Sequence, residues 1–122
     1  MKRALVVDDE PLVRTTLSML LRLEGWDVQA AADGQAGLQQ ALAAPPALLL
    51  SDLHMPGLDG RALLAAVRAE PALAGVRFVF LSGEPDLPLE QPGGTADAAL
   101  LKPFTRDELL ALLVRLGPAA PA

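Results

Sequence analysis

Five polar residues stand at the ends of short apolar runs of the chain. Asp8 and Asp9 follow the first run, Asp52 and Ser82 end two others, and Lys102 follows the last. If the runs are parallel strands, their carboxyl ends meet at one edge of a sheet, where open α/β folds bind their ligands. Three carboxylates at such an edge repel one another unless a cation lies among them. Oxygen ligands favour a hard ion such as Mg²⁺.

These residue types also suit a covalent reaction at the same edge. Asp52 could act as a carboxylate nucleophile and form an aspartyl phosphate. The ammonium group of Lys102 is a point charge that suits a phosphate oxygen, and the Ser82 hydroxyl can donate a hydrogen bond to the same group. A metal ion together with Lys102 would offset the charge that gathers on a transferring phosphoryl group.

The chain as a whole alternates between apolar runs and segments with helical periodicity. This alternation is typical of βαβ units and predicts a parallel sheet with helices on both faces. The predicted strands are residues 4–7, 26–30, 48–50, 76–81 and 98–101. The apolar spacing of the first helix predicts an inward face, made of Leu12, Thr16, Met19, Leu20 and Leu23.

One stretch does not follow this pattern, namely the residues between Ser82 and Ala98. It contains three prolines and three glycines. A parallel crossover calls for a helix here, but Pro92 and Gly93 prevent a long one. We therefore predict a short or irregular fourth helix.

The composition limits the class of protein. The 122 residues make one ordinary domain, and 52% of them are hydrophobic, which is enough for a full core. The net charge of −5 argues against binding to nucleic acid or to an anionic membrane. No apolar run approaches the roughly 20 residues that span a bilayer. The absence of cysteine fits a cytoplasmic location.

Four motifs of the chain resemble those of response-regulator receiver domains, the CheY-like phosphoacceptors of two-component signalling. They are LVVDDE (5–10), LLLSDLHMPGLDG (48–60), FLSG (80–83) and LLKPF (100–104), in the family's order and near its spacing. The resemblance implies a flavodoxin-like doubly wound sheet of five parallel strands in the order 2-1-3-4-5, with five helices. The receiver would span residues 1–117, and residues 118–122 would be a Pro/Ala tail or the start of a linker.

The resemblance also implies a Mg²⁺ site. Asp52 would be both a metal ligand and the phosphoacceptor. Asp9 would bind the ion directly, and Asp8 would hold it through water. The backbone carbonyl of His54 would supply a further ligand, whereas its lone imidazole is expected to be an exposed loop group.

The remaining roles implied by the resemblance concern the phosphoryl group and its lifetime. Ser82 and Lys102 would bind the phosphoryl oxygens, and Ser82 would move toward them on activation. Pro103 would follow a cis peptide bond. His54 and Glu84 flank the site and would modulate the lifetime of the phosphorylated state.

The chain departs from the family where the signal is read out. The family usually has an aromatic residue three positions before the lysine, and this aromatic swings inward when the hydroxyl moves. Here that position is Ala99. The proline-rich stretch falls in the same region, which is the usual output face. We therefore expect intact phosphorylation chemistry with an altered transmission of the signal.

Three functions remain open at this point. The first is a phosphorelay module that a histidine kinase or phosphotransfer protein phosphorylates, that switches an unknown downstream protein, and that catalyses only its own phosphorylation and dephosphorylation. The second is a pseudo-receiver that binds proteins without phosphorylation. The third is a Mg²⁺-dependent phosphatase, although such enzymes carry a second Asp where this chain has His54. We expect a monomer, either a stand-alone protein or a receiver from a longer chain.

Overall fold

The computed structural model describes residues 2–117 and contains the predicted parallel sheet. The strands of this sheet are β1 (Arg3–Val7), β2 (Asp27–Ala31), β3 (Leu48–Asp52), β4 (Arg77–Ser82) and β7 (Ala98–Leu101). Two further strands, β5 (Glu90–Gln91) and β6 (Gly94–Thr95), form a separate hairpin. The five strands of the main sheet lie in the order β2-β1-β3-β4-β7. The doubly wound fold and its strand order are therefore confirmed. The tail predicted at 118–122 lies outside the described residues.

Helices cover both faces of the sheet, because the three inner strands of the sheet carry apolar side chains on both faces. The helices are α1 (Pro11–Leu23), α2 (Gly34–Ala43), α3 (Gly60–Ala69) and α4 (Arg106–Leu116), and a 3₁₀ turn spans Pro71–Leu73. All five residues of β3 are buried. Side-chain caps start three of the helices, since Asp33, Asp59 and Thr105 each accept a hydrogen bond from a first-turn N–H group. No helix within residues 2–117 has the length and apolarity to cross a membrane.

The predicted inward face of α1 is wrong for three of its five residues, although Leu20 does pack against the core. Leu17 and Leu21 are fully buried against the sheet, whereas Leu12, Met19 and Leu23 are 78%, 53% and 68% exposed. The helix carries apolar residues on two stripes about half a turn apart, so its spacing fits either orientation. The core selects the stripe of Leu17 and Leu21, and the other stripe faces outward.

The predicted fourth helix is also absent from the described part of the chain. Residues 83–97, here called the strap, connect β4 to β7 through a two-stranded antiparallel hairpin, β5 (Glu90–Gln91) with β6 (Gly94–Thr95). Proline lacks the N–H group that a helix needs, and Gly93 adopts φ 93° in the hairpin turn. The strap covers the sheet by burying Leu87 and Ala96.

At one edge of the sheet, the outward carbonyl groups of β2 are covered by side chains. Arg22 Nη2 in α1 donates to the Val28 carbonyl at 3.2 Å. Gln40 Nε2 in α2 donates to the Ala30 carbonyl, also at 3.2 Å. The two helices that flank β2 therefore satisfy backbone groups that an edge strand would otherwise leave to solvent.

Candidate functional site

The strand register brings the predicted site residues to one edge of the sheet. Val7 of β1 pairs with Ser51 of β3, and Asp52 of β3 pairs with Leu81 of β4. Ser82 in turn pairs with Leu101, the residue before Lys102. Because buried parallel strands resist slippage, the polar residues that end them are held side by side.

Four carboxylates gather at this edge. One oxygen from each of Asp8, Asp9, Glu10 and Asp52 lies within 4.8 Å of the others. Asp8 is completely buried and Asp52 is 7% exposed, whereas Asp9 and Glu10 face solvent. Glu10 was not among the predicted site residues, although a third consecutive acid at the start of a helix was the signal for it.

Lys102 is the cation inside this acidic cluster. Its Nζ lies 2.9 Å from Asp8 Oδ2, 3.2 Å from Asp52 Oδ1 and 3.6 Å from Glu10 Oε1. Burial acts to lower the pKa of Lys102, but the hydrogen bonds and charges of Asp8 and Asp52 outweigh burial and raise this pKa above its usual value. The ammonium group is therefore fully charged at neutral pH. The peptide bond between Lys102 and Pro103 is cis.

Asp52 stands in an environment that penalises its charge. Burial, and after it the charge of Asp8, raises the pKa of Asp52, while Lys102 and the N–H group of Leu53 act in the opposite direction. Both of these donors bond to Oδ1, with the Leu53 N–H group at 2.9 Å and Lys102 Nζ at 3.2 Å. Within residues 2–117, Asp52 Oδ2 has no hydrogen-bond donor, so this oxygen is the one available to a ligand.

The donor set of the cluster suits Mg²⁺. The carboxylate oxygens are hard ligands, and their separations allow one ion to contact several of them. Two buried acids beside a single lysine also leave net negative charge for a cation to offset. The imidazole of His54 takes no part in this cluster and is exposed.

Ser82 joins the site to the strap. It is 2% exposed, and its hydroxyl accepts a hydrogen bond from the N–H group of Glu84 at 2.9 Å. His54 Nε2 and Glu84 Oε1 lie 3.1 Å apart, and Arg61 Nη2 lies 3.9 Å from Glu84 Oε2. The structure therefore places the two predicted lifetime residues in contact with each other beside the site.

Ala99 lies in β7 opposite Phe80 of β4. Phe80 is fully buried, in a cluster that also contains Leu87 and Ala96 of the strap, and Ala99 packs against this cluster. Ala99 thus belongs to the same packed region as Phe80 and the two buried strap residues.

Comparison with known proteins decides the family. The model of the response regulator receiver domain matches residues 4–114. The chain belongs to the receiver domain family. It is 35% identical over 113 residues to the transcriptional regulatory protein TrcR of Mycobacterium tuberculosis, covering 91% of this chain and 43% of TrcR.

Two solved receiver structures support the assignment. The chemotaxis response regulator CheY4 of Vibrio cholerae matches with a TM-score of 0.86 and 32% identity, covering 95% of this chain and 98% of that one. TrrA of Thermotoga maritima, solved in complex with Mg²⁺-BeF, matches with a TM-score of 0.84 and 29% identity, covering 95% of this chain and 99% of that one. The receiver therefore spans less than half of TrcR but nearly all of CheY4 and TrrA. As a receiver domain, it is a phosphoacceptor of two-component signalling.

Proposed function

We propose that this receiver accepts a phosphoryl group on Asp52 while Asp8, Asp9, Asp52 and the backbone carbonyl of His54 hold Mg²⁺. The observation that carries the proposal is the state of the Asp52 carboxylate. Its Oδ1 is held by Lys102 and by a backbone N–H group, and its Oδ2 has no donor within residues 2–117. The nucleophilic oxygen is thus oriented without being blocked.

In the proposed reaction, Asp52 Oδ2 attacks the phosphorus of a phosphohistidine or an acyl phosphate. An O–P bond forms as the donor's N–P or O–P bond breaks, and the electron pair leaves with the donor's imidazole or carboxylate. Lys102, 3.2 Å from Oδ1, offsets charge on the phosphoryl oxygens. Mg²⁺ would offset the remaining charge on the transferring group. Water later attacks the phosphorus, the O–P bond to Asp52 breaks, and inorganic phosphate leaves while the Asp52 carboxylate is restored; the domain turns over no other substrate.

The same proposal gives the strap the task of reading out phosphorylation. The Ser82 hydroxyl bonds the Glu84 N–H group at the first turn of the strap. When this hydroxyl moves toward a phosphoryl oxygen, the Glu84 N–H group loses its acceptor and the first residues of the strap can shift. Ala99 has no ring that could swing inward, so the strap is the element left to carry the change.

His54 and Glu84 are proposed to set how long the phosphate persists. Their side chains meet at 3.1 Å, and each residue lies two positions after a site residue, Asp52 or Ser82, so we propose that they meet the water that attacks the phosphoryl group. Replacing both with alanine should change the rate of dephosphorylation several-fold while leaving Mg²⁺ binding unaltered. Intact mass measured over time after removal of the phosphodonor gives the rate of dephosphorylation. A rate equal to that of the wild type would contradict this role.

We further propose a histidine kinase or phosphotransfer protein as the donor and a downstream protein as the target. The exposed stripe of Leu12, Met19 and Leu23 on α1 supports this proposal, because α1 begins directly after Glu10 of the acidic cluster. A helical partner docked on the stripe would bring its phosphohistidine to Asp52. We take residues 1–117 as the receiver unit, and its monomeric state and cytoplasmic location stay predictions.

The test of the proposed function is phosphorylation by acetyl phosphate, followed by intact mass. The wild-type protein should gain one phosphoryl group when Mg²⁺ is present and none when Mg²⁺ is chelated. Asp52→Asn should gain none under either condition. If the folded wild-type protein gains no phosphoryl group, a phosphorylation-independent interaction domain becomes the better interpretation. Modification of Asp52→Asn would place the phosphoacceptor elsewhere.

A further inference from the structure

Asp8 is the most completely engaged acid of the site. Its Oδ1 accepts the N–H group of Glu10 at 2.9 Å, and its Oδ2 accepts Lys102 Nζ at 2.9 Å. Its backbone carbonyl accepts Arg14 Nη1 at 2.8 Å. A different donor therefore holds each of the three oxygens. The Lys102 bond fixes the side chain, the Glu10 bond ties the side chain to the backbone of the turn, and the Arg14 bond fixes the backbone carbonyl of Asp8 itself.

The N–H group of Asp8 donates to the Ala31 carbonyl of β2 at 3.1 Å, but the residues after Asp8 in the turn have weaker support. Glu10 stands at the N-cap of α1, where its side chain makes no capping hydrogen bond, and Pro11 at the first helical position has no N–H group. Arg14, one turn into the helix, is bonded to this segment twice. Its N–H group donates to the Glu10 carbonyl at 3.1 Å, and its guanidinium reaches back to the Asp8 carbonyl.

We propose that Arg14 is a positioning residue for the divalent-ion site, an inference that rests on the proposed function. Arg14 is half-buried and bonds to a carbonyl oxygen, so it takes no carboxylate oxygen away from the ion. By holding the backbone at Asp8, it keeps the carboxylates of Asp8 and Asp9 directed toward Asp52. Partners of this kind, which orient metal ligands without contacting the metal, commonly contribute to metal affinity.

The chain offers a matched control on the same helix. Arg22 also lies in α1, and its guanidinium also donates to a strand carbonyl, that of Val28 at 3.2 Å. Arg22→Ala and Arg14→Ala therefore remove the same charge and the same kind of hydrogen bond. They differ in that only Arg14 is bonded to the acidic turn.

The experiment measures the Mg²⁺ dissociation constant of the full chain by titration calorimetry, with urea unfolding in the absence of Mg²⁺ as the check on folding. Arg14→Ala should weaken Mg²⁺ binding about tenfold, whereas Arg22→Ala should leave it within about twofold of wild type. Arg14→Lys should recover most of the affinity, because lysine keeps a donor at this position. If Arg14→Ala is too unstable to titrate, Arg14→Lys against Arg14→Gln provides the same comparison.

The outcomes separate the two proposals. Absence of Mg²⁺ binding by the folded wild-type protein would overturn the proposed function and this inference with it. Wild-type binding that Arg14→Ala and Arg22→Ala weaken equally would overturn the inference alone, because the loss would then follow from general destabilisation of α1. Tighter binding by Arg14→Ala would also overturn it, since the guanidinium would then act as a competing positive charge.

Discussion

The acidic site and the strap meet at Ser82, but they are built in opposite ways. The site consists of side chains at the ends of buried strands, and the sheet register holds these side chains in place. The strap lies across the sheet, buries two of its side chains and is bonded to both α3 and β4. Because the site depends on strand register, few residue types are tolerated at its positions. The crossover from β4 to β7 needs only to connect the two strands and to cover the sheet, so its sequence can vary more.

The attachment of the strap to α3 shows how such a crossover can be specific without a helix. Arg68 donates to the carbonyl groups of Thr95 and Val76 and to the Asp97 carboxylate. The same carboxylate accepts the Phe78 N–H group at 2.7 Å. The hairpin turn lies so close to α3 that a β-carbon at Gly93 would be 2.8 Å from Ala65 Cβ. The hairpin end of the strap is thus fixed to α3 and β4. The other end of the strap, at Glu84, is bonded to Ser82 of the site.

The largest effect that separates the two regions is expected from the site lysine. Lys102→Met should slow phosphorylation by acetyl phosphate about 100-fold, because it removes the cation that offsets phosphoryl charge. Leu87→Ala in the strap should leave this rate within a few-fold of wild type. Rates come from intact mass over time, with Mg²⁺ saturating. Equal slowing by both substitutions would mean that the strap takes part in phosphorylation. It would contradict the division of the molecule into a chemical site and a separate strap.

The next effect concerns stability and falls on the strap. Gly93→Ala should lower the free energy of unfolding by about 2 kcal/mol, because the new methyl group meets Ala65 and φ is positive. Gly83→Ala is the control in the same strap, since a β-carbon there has no neighbour within 4 Å. Its effect should stay within about 0.5 kcal/mol in urea unfolding. A Gly93→Ala protein as stable as wild type would show that the hairpin turn is not packed tightly against α3.

A smaller effect with the opposite sign is expected at Asp52. Because the folded-state pKa of Asp52 is raised, its proton stabilises the fold below the ordinary value of 3.8, and this stability is lost as pH rises through the folded pKa. Without Mg²⁺, Asp52→Asn should therefore be more stable than wild type at pH 7. The difference should shrink as pH falls through the folded pKa. Urea unfolding at several pH values measures it, and a less stable Asp52→Asn protein would contradict the argument.

The smallest effect tests the link between the two regions. With Mg²⁺ and beryllofluoride, the amide of Glu84 should exchange with solvent several-fold faster, since Ser82 no longer holds it. The amide of Asp97, which donates to the Phe78 carbonyl at 2.8 Å, should be unchanged. Ser82→Ala should abolish the response at Glu84. An identical response at both amides, measured by hydrogen exchange, would mean that the strap moves as one body.

The sequence carried most of the information needed for the site. Strands that are buried on both faces allow few registers, so the positions of Asp8, Asp52, Ser82 and Lys102 at the ends of short apolar runs suffice to assign them to one edge. Glu10 could not be assigned to the site in the same way, because acidic residues at the start of a helix are usually explained by their favourable interaction with the helix dipole.

The helix orientation and the strap were harder to predict, for physical reasons that differ. In α1, Leu17 and Met19 are both apolar, and only packing on the sheet decides which of them is buried. In the strap, proline and glycine excluded a long helix, but the hairpin depends on contacts with Ala65 and Arg68 that are distant in sequence. Local patterns contain neither kind of information.

The covered carbonyl groups of β2 have a consequence for self-association. An edge strand with free backbone groups is a template on which a second chain can add a strand and begin to aggregate. Arg22 and Gln40 occupy the acceptors of Val28 and Ala30, so a strand approaching this edge would first have to displace both side chains. Protection against fibre-like growth on this side of the molecule is thus supplied by two helices whose other faces form the core.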